Sequence, residues 1–125
     1  MQTILIIEDN VDYRVNLAEI LQDELYYTLE AENGLIGLAM IGDHLPDLIL
    51  CDIDMPIMTG VEMLVLMKQD TRISGIPIIF IMGHTNELTR KHVMGLGAGL
   101  FLAKTVLIGD LIKFIYDLLN TPPVQ

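Results

Sequence analysis

Apolar residues fall along the chain in short runs separated by polar or periodic stretches. ILII at 4–7 predicts a short buried strand. Val15, Ala18, Leu21 and Leu25 follow at helical spacing with charged residues between them, which predicts an amphipathic helix. YYTLEA at 26–31 predicts a second strand, more polar and so nearer a sheet edge. Asn33–Gly34 breaks it, and LIGLAMI at 35–41 predicts a helix. LILC at 48–51 predicts the third strand, and Met63, Leu64 and Met67 mark a helix that begins near Thr59. IPIIFIM at 76–82 predicts the fourth strand, with Pro77 confined to its start. A helix of weaker pattern is predicted over about 86–96, a fifth strand at LFLA, 100–103, and a last helix marked by Leu107, Leu111, Phe114 and Leu118.

The order is βα, five times. Strands that are apolar on both faces belong in a parallel sheet covered by helices on each side, with right-handed crossovers. The expected class is therefore α/β, a doubly wound (βα)5 three-layer sandwich. The 125 residues are the size of one domain, expected over 1–120. TPPVQ at 121–125 cannot continue a helix and reads as a tail or the start of a linker.

Composition narrows the functional classes. Hydrophobic residues make up 52% of the chain, yet the longest stretch without Asp, Glu, Lys or Arg runs only from Ile73 to Asn86. A membrane span needs about 18 apolar residues, so none is expected. The start, MQTILIIEDN, lacks the basic region of a signal peptide. A single cysteine, Cys51, excludes an intramolecular disulfide and points to a reducing, cytoplasmic setting. It reads as a small buried hydrophobe, the eight methionines as core filler, and His44 and His92 as surface residues. The net charge of −10, from 7 basic and 17 acidic residues, favours solubility and repels nucleic acid, so no direct nucleic-acid contact is expected.

One stretch concentrates the chemistry. LILCDIDMPIMTG, 48–60, begins as a buried strand and ends on Asp52 and Asp54. In an open α/β sheet, ligands sit beyond the carboxyl ends of the strands. The first strand ends there at Glu8–Asp9, with Asp12 close behind. The fourth ends at Met82, followed by Gly83, His84 and Thr85, and the fifth at Lys104. Taken singly, each acid is better read as a loop residue or a helix cap, and Asp9, Asn10 and Asp12 all stand where the first helix needs one. Glu8–Asp9, Asp52 and Lys104 ending three separate strands is a joint pattern that points to a site. If the first and third strands are neighbours, three carboxylates share a pocket and repel unless a cation intervenes. Mg²⁺ suits such oxygen ligands, and Lys104 suits a phosphoryl oxygen. A rigidly held Asp52 is then a nucleophile for a phosphoryl group.

With these residues the chain resembles a response-regulator receiver domain, the phosphoacceptor of two-component signalling. The resemblance runs from Thr3 to about Asn120 and rests on Glu8–Asp9, Asp52-Ile53-Asp54-Met55-Pro56 with Met58 and Gly60, Gly97–Ala98 and Lys104. It implies a flavodoxin-like sheet in the order 2-1-3-4-5. It makes Asp52 the phosphoacceptor, Asp9, Asp52 and the Asp54 backbone carbonyl the Mg²⁺ ligands, Glu8 a ligand acting mainly through water, Lys104 the phosphoryl partner and Phe101 the switch aromatic. It also implies a histidine kinase or histidine phosphotransfer protein as partner, and homodimer or partner contacts through the last two helices and the fifth strand.

Two positions depart from that family. Met82 stands where a Thr or Ser hydroxyl usually binds the phosphoryl group, beside Gly83 at the usual small-residue site. Thr85 replaces that hydroxyl only on rearrangement of the loop, and Asp54 and His84 are further candidate modulators. Thr105 follows Lys104 where proline with a cis bond is usual, and without proline a trans bond is expected. Two other readings stay open: a degenerate receiver acting as a phosphorylation-independent binding or dimerisation module, and an aspartate-nucleophile phosphohydrolase using Asp52-Ile53-Asp54 as a D-x-D motif.

Overall fold

The computed structural model describes residues 1–84 and 86–121. Thr85 and residues 122–125, most of the expected tail, lie outside the described residues. Five strands and five helices alternate: β1 (Thr3–Ile7), α1 (Val11–Asp23), β2 (Tyr27–Ala31), α2 (Gly34–His44), β3 (Leu48–Asp52), α3 (Gly60–Lys68), β4 (Ile78–Met82), α4 (Glu87–Gly95), β5 (Leu100–Ala103) and α5 (Ile108–Leu119). All strand pairs are parallel and the order is β2-β1-β3-β4-β5. This is the doubly wound, flavodoxin-like α/β sandwich expected from the sequence.

The continuous apolar runs are explained by the two faces of the sheet. Successive side chains of a strand point to opposite faces. Ile4, Ile6, Leu48, Leu50, Ile79 and Ile81 pack with Leu17, Ala18 and Leu21 of α1 and Leu111 and Ile115 of α5. Leu5, Ile7, Ile49, Cys51, Ile78 and Phe80 pack on the other side with Ile41 of α2, Met63, Leu64 and Met67 of α3, and Val93 of α4. Each of the three central strands feeds both cores, so none alternates with polar residues. β2 lies at an edge and keeps Tyr27 and Glu30 exposed.

The helix stripes differ in detail from the predicted ones. In α1 the buried residues are Leu17, Ala18 and Leu21, whereas Val15 is 40% exposed and Leu25 is 74% exposed. The helix ends before Leu25, which takes a left-handed φ of 67° while Tyr26 N–H donates to Leu21 O and Leu25 N–H to Gln22 O. These two bonds satisfy the last carbonyls of α1 in the manner of a Schellman cap, with leucine where glycine is usual. Leu107 likewise precedes α5 as its N-cap residue and is exposed, leaving Leu111 and Ile115 as the buried pair. α4 buries only Val93, in keeping with its weak pattern.

The start of α3 is set by a capping box between Thr59 and Glu62. The next residue, Gly60, donates its N–H to Ile53 O at 2.9 Å. A Cβ on Gly60 would meet Asp52 O at 2.6 Å and Phe80 Cε1 at 2.8 Å. Backbone and a core ring cannot yield cheaply, and α3 is thereby held close to the end of β3. Gly60→Ala should lower stability by about 1–3 kcal/mol despite alanine's better helix propensity. Urea unfolding at unchanged m-value checks this, and equal or greater stability would contradict the close packing.

Candidate functional site at the carboxyl end of the sheet

Parallel register brings the acids together. Ile7 of β1 pairs with Cys51 of β3, so Glu8 and Asp52 leave the sheet side by side. Glu8 N–H still donates to Ala31 O at the end of β2. Both acids are buried, Glu8 at 2% exposure and Asp52 at 7%, while Asp9 is exposed beside them. One carboxylate oxygen from each of Glu8, Asp9 and Asp52 lies within 4.8 Å of the others.

Each side chain is positioned by a specific bond. Asp52 Oδ1 accepts the N–H of Ile53 at 2.8 Å, leaving Oδ2 on the side of Lys104 at 3.6 Å from Nζ. Glu8 Oε2 accepts the N–H of Asn10 at 3.3 Å. Glu8 Oε1 forms an ion pair with Lys104 Nζ, yet no directed hydrogen bond reaches this buried oxygen. Asn10, and not Asp9 or Asp12, caps α1 by accepting from Tyr13 N–H at 2.9 Å. Asp9 is therefore spared capping and remains available to the cluster.

The other predicted residues occupy the rim. Lys104 N–H donates to Met82 O at 2.8 Å, which ties the end of β5 to the end of β4. No peptide bond among the described residues is cis, so the Lys104–Thr105 bond is trans, and Lys104 still reaches both buried acids. Met82 is half-buried and packs against the core on the α2, α3 and α4 side, as does Phe101. Phe101 pairs in register with Phe80. Asp54, Gly83 and His84 are exposed. Thr85 falls outside the described residues. His44 and His92 are exposed and Cys51 is buried, as expected.

Three contributors were not singled out from the sequence. Arg14 donates to Glu8 O at 2.7 Å and pairs with Glu30 at 3.1 Å, pinning the β1–α1 loop to β2. Tyr13 places its ring 4.8 Å from Lys104 Nζ. Ile57, in the loop after Asp52, holds a φ of 72° with Met58 N–H donating to Pro56 O at 2.8 Å. A β-branched residue is strained there. Tyr13 stands on the first turn of α1, three residues after the Asn10 cap, and that position is the signal that could have placed it at the site.

The electrostatics follow from burial. Desolvation pushes the Glu8 carboxyl up to about 7, with Lys104 opposing the rise and Asp9 and Asp52 adding to it. Burial acts to lower the Lys104 pKa, but Glu8 and Asp52 outweigh it and leave the ammonium above its ordinary value. Burial also pushes the Cys51 thiol well up, with Asp52 and Glu8 contributing, so it is no nucleophile here. One ammonium stands against Glu8 and Asp52 in a cluster of three carboxylates, and the donors are all hard oxygens. That set fits a small divalent cation such as Mg²⁺.

With no divalent cation present, the raised Glu8 pKa has a sign that unfolding can read. The folded protein holds a proton on Glu8 that the unfolded chain releases between about 4.5 and about 7. The contribution of this group to stability should therefore fall as pH rises through that window and level off above it. Native minus Glu8→Gln stability, measured by urea unfolding in chelator from about pH 4.5 to about pH 8, should show that fall. A flat or rising difference would contradict it.

Comparison with known proteins identifies the family. The sequence model of the response regulator receiver domain matches residues 4–116. The chain is 35% identical over 102 residues to "Histidine kinase P4" of Formosa agariphila, a match covering 82% of this chain and 7% of that protein. It thus spans a small fraction of that relative. It is 26% identical over 119 residues to the polar-differentiation response regulator DivK of Brucella anthropi, covering 95% of this chain and 97% of that one. Its fold superposes on the chemotaxis protein CheY4 of Vibrio cholerae with a TM-score of 0.88 at 25% identity, over 94% of this chain and 98% of the other. The match spans nearly the whole chain and the sheet order agrees with it, and the chain belongs to the response regulator receiver domains of two-component signalling.

Proposed function

We propose that this receiver accepts a phosphoryl group on Asp52 and signals through contacts with other proteins. The observation that carries the reading is the convergence of Glu8, Asp9 and Asp52 with Lys104 at the ends of three strands. The donor is a phosphohistidine on a histidine kinase or a phosphotransfer protein. Asp52 is held by Ile53 N–H through Oδ1, which leaves the oxygen facing Lys104 to attack phosphorus. The new O–P bond forms as the P–N bond to the donor imidazole breaks, and the electron pair leaves with the imidazole. Lys104 follows the developing negative charge on the phosphoryl oxygens. Asp9, Asp52 and the Asp54 backbone carbonyl would hold Mg²⁺, with Glu8 acting mainly through water. The ion supplies the remaining charge neutralisation when bound. The place of Asp52-Ile53-Asp54 at the end of β3, rather than on the first strand, weighs against the phosphohydrolase reading.

The face formed by α4, β5 and α5 is the proposed signalling and homodimer surface. α4 is its most lightly anchored element, with Val93 alone buried. Exposed Leu88 on α4 and Leu107 at the start of α5 supply apolar contact area.

Mass spectrometry after treatment with a small phosphodonor and Mg²⁺ tests the phosphoacceptor. The native chain should gain one phosphoryl group and Asp52→Asn should gain none. An equal gain in the variant would sink the assignment.

Met82 favours a second reading, that of a receiver with a weakened response. A thioether donates no hydrogen bond to a phosphoryl oxygen, and Met82 packs against the core. A ligand shifts a conformational equilibrium only by its differential affinity. Loss of a charge-assisted bond removes roughly 1.5–3 kcal/mol of that difference. Phosphorylation should proceed, but Gly83, His84 and Phe101 should show only small NMR shift changes with beryllofluoride. Met82→Thr should enlarge them. If the native protein already responds fully and Met82→Thr adds nothing, another group couples the site to Phe101.

A further inference from the structure

Lys104 occupies the ground a metal ion would claim. Its Nζ pairs with Glu8 Oε1 and stands 3.6 Å from Asp52 Oδ2, and both acids belong to the oxygen cluster that fits a divalent cation. The ammonium is not held there by carboxylates alone. The ring of Tyr13, half-buried on the first turn of α1, has its centroid 4.8 Å from the same Nζ. That lies inside the range where an aromatic face attracts a cation. The ring is also fixed in place, because Tyr13 N–H donates to the Asn10 cap at 2.9 Å and its side chain packs against the α1–α5 core.

We propose that Tyr13 is a positioning residue that holds Lys104 on Glu8, making the lysine an internal competitor of the metal ion. This inference rests on the Mg²⁺-binding reading of the cluster. When a divalent cation enters and Glu8 holds its water shell, the ammonium is displaced from Glu8 Oε1, because the ion competes for that oxygen and repels the ammonium at close range. The ring stabilises only the seat that must be vacated. Tyr13 therefore sets a threshold: it lowers metal affinity without touching the metal, through a residue that the phosphoryl chemistry also needs. The phenol oxygen plays no part, since the attraction belongs to the ring face.

The test is Mg²⁺ affinity, a quantity separate from phosphorylation. Titration with MgCl₂ is followed by NMR at the amides of Asn10 and Ile53, which donate to Glu8 and Asp52. Tyr13→Leu should bind Mg²⁺ about two- to tenfold more tightly than the native chain, the size of a cation–ring contact. Tyr13→Phe should restore native affinity. In a Lys104→Met background, Tyr13→Leu should change affinity by less than about twofold, because the competitor is gone. Tyr13→Met, with circular dichroism on every variant, guards against a packing defect peculiar to leucine. Unchanged or weaker binding by folded Tyr13→Leu and Tyr13→Met overturns the inference. So does an equal effect in the Lys104→Met background, or a Tyr13→Phe that behaves as Tyr13→Leu. A native chain that binds no Mg²⁺ overturns the metal reading first, and this inference with it.

Discussion

Two carboxylates buried side by side, with one ammonium between them, set the terms for the rest of this molecule. Glu8 and Asp52 are almost wholly removed from water at the ends of adjacent strands. Each would repel the other and neither can escape, because the strands behind them are packed on both faces. Burial of like charge is costly unless opposite charge is near. Lys104 supplies one unit of it across the width of two strands. The sheet thus holds together charges that one ammonium compensates only in part.

The surrounding architecture keeps that tension in place. β1, β3 and β4 are clamped between two apolar layers, so Asp52 cannot swing away from Glu8 by moving its strand. Gly60 lets α3 begin almost on top of the Asp52 carbonyl, and the Ile53 N–H fixes the carboxylate rotamer. Arg14 fastens the backbone of Glu8 to β2. Even the strained Ile57 belongs to this set, since the loop it turns carries the chain from the acid to the start of α3. Rigidity is concentrated on the acids, and the lightly buried α4 is left as the element with least to lose by moving.

That division makes the departures of this receiver from its family readable in physical terms. The proposed reaction at Asp52 needs charge and position, which Lys104 and the packed end of β3 supply. Transmission to α4 and β5 needs a group that gains a bond when the phosphoryl arrives, and Met82 offers none from its side chain. The same end of β4 still engages Lys104 through its backbone carbonyl. Lys104 is consequently tied to β4, to both buried acids and to Tyr13 of α1, and in the proposed function its position bears on metal binding, phosphoryl transfer and response alike.

Much of this was legible before any coordinates. All five strands were located to within two residues, the central three because a strand buried on both faces has no alternative to continuous hydrophobicity. Glu8, Asp9, Asp52 and Lys104 could be named because each ends such a run, and the carboxyl edge of a parallel sheet gathers whatever ends its strands. Helix faces were less secure. Val15 and Leu25 have the right spacing but the wrong outcome, since which of two overlapping stripes turns inward, and where the helix stops, depends on the sheet it meets and on a cap made by Leu25 and Tyr26. The tertiary structure alone decided that Asn10 rather than Asp9 caps α1, that Glu8 rather than Asp9 is buried, and that a tyrosine ring lies against the lysine. Periodicity records how often a residue faces the core; contacts between residues 91 positions apart, such as Tyr13 and Lys104, exist only once the sheet order has closed the distance.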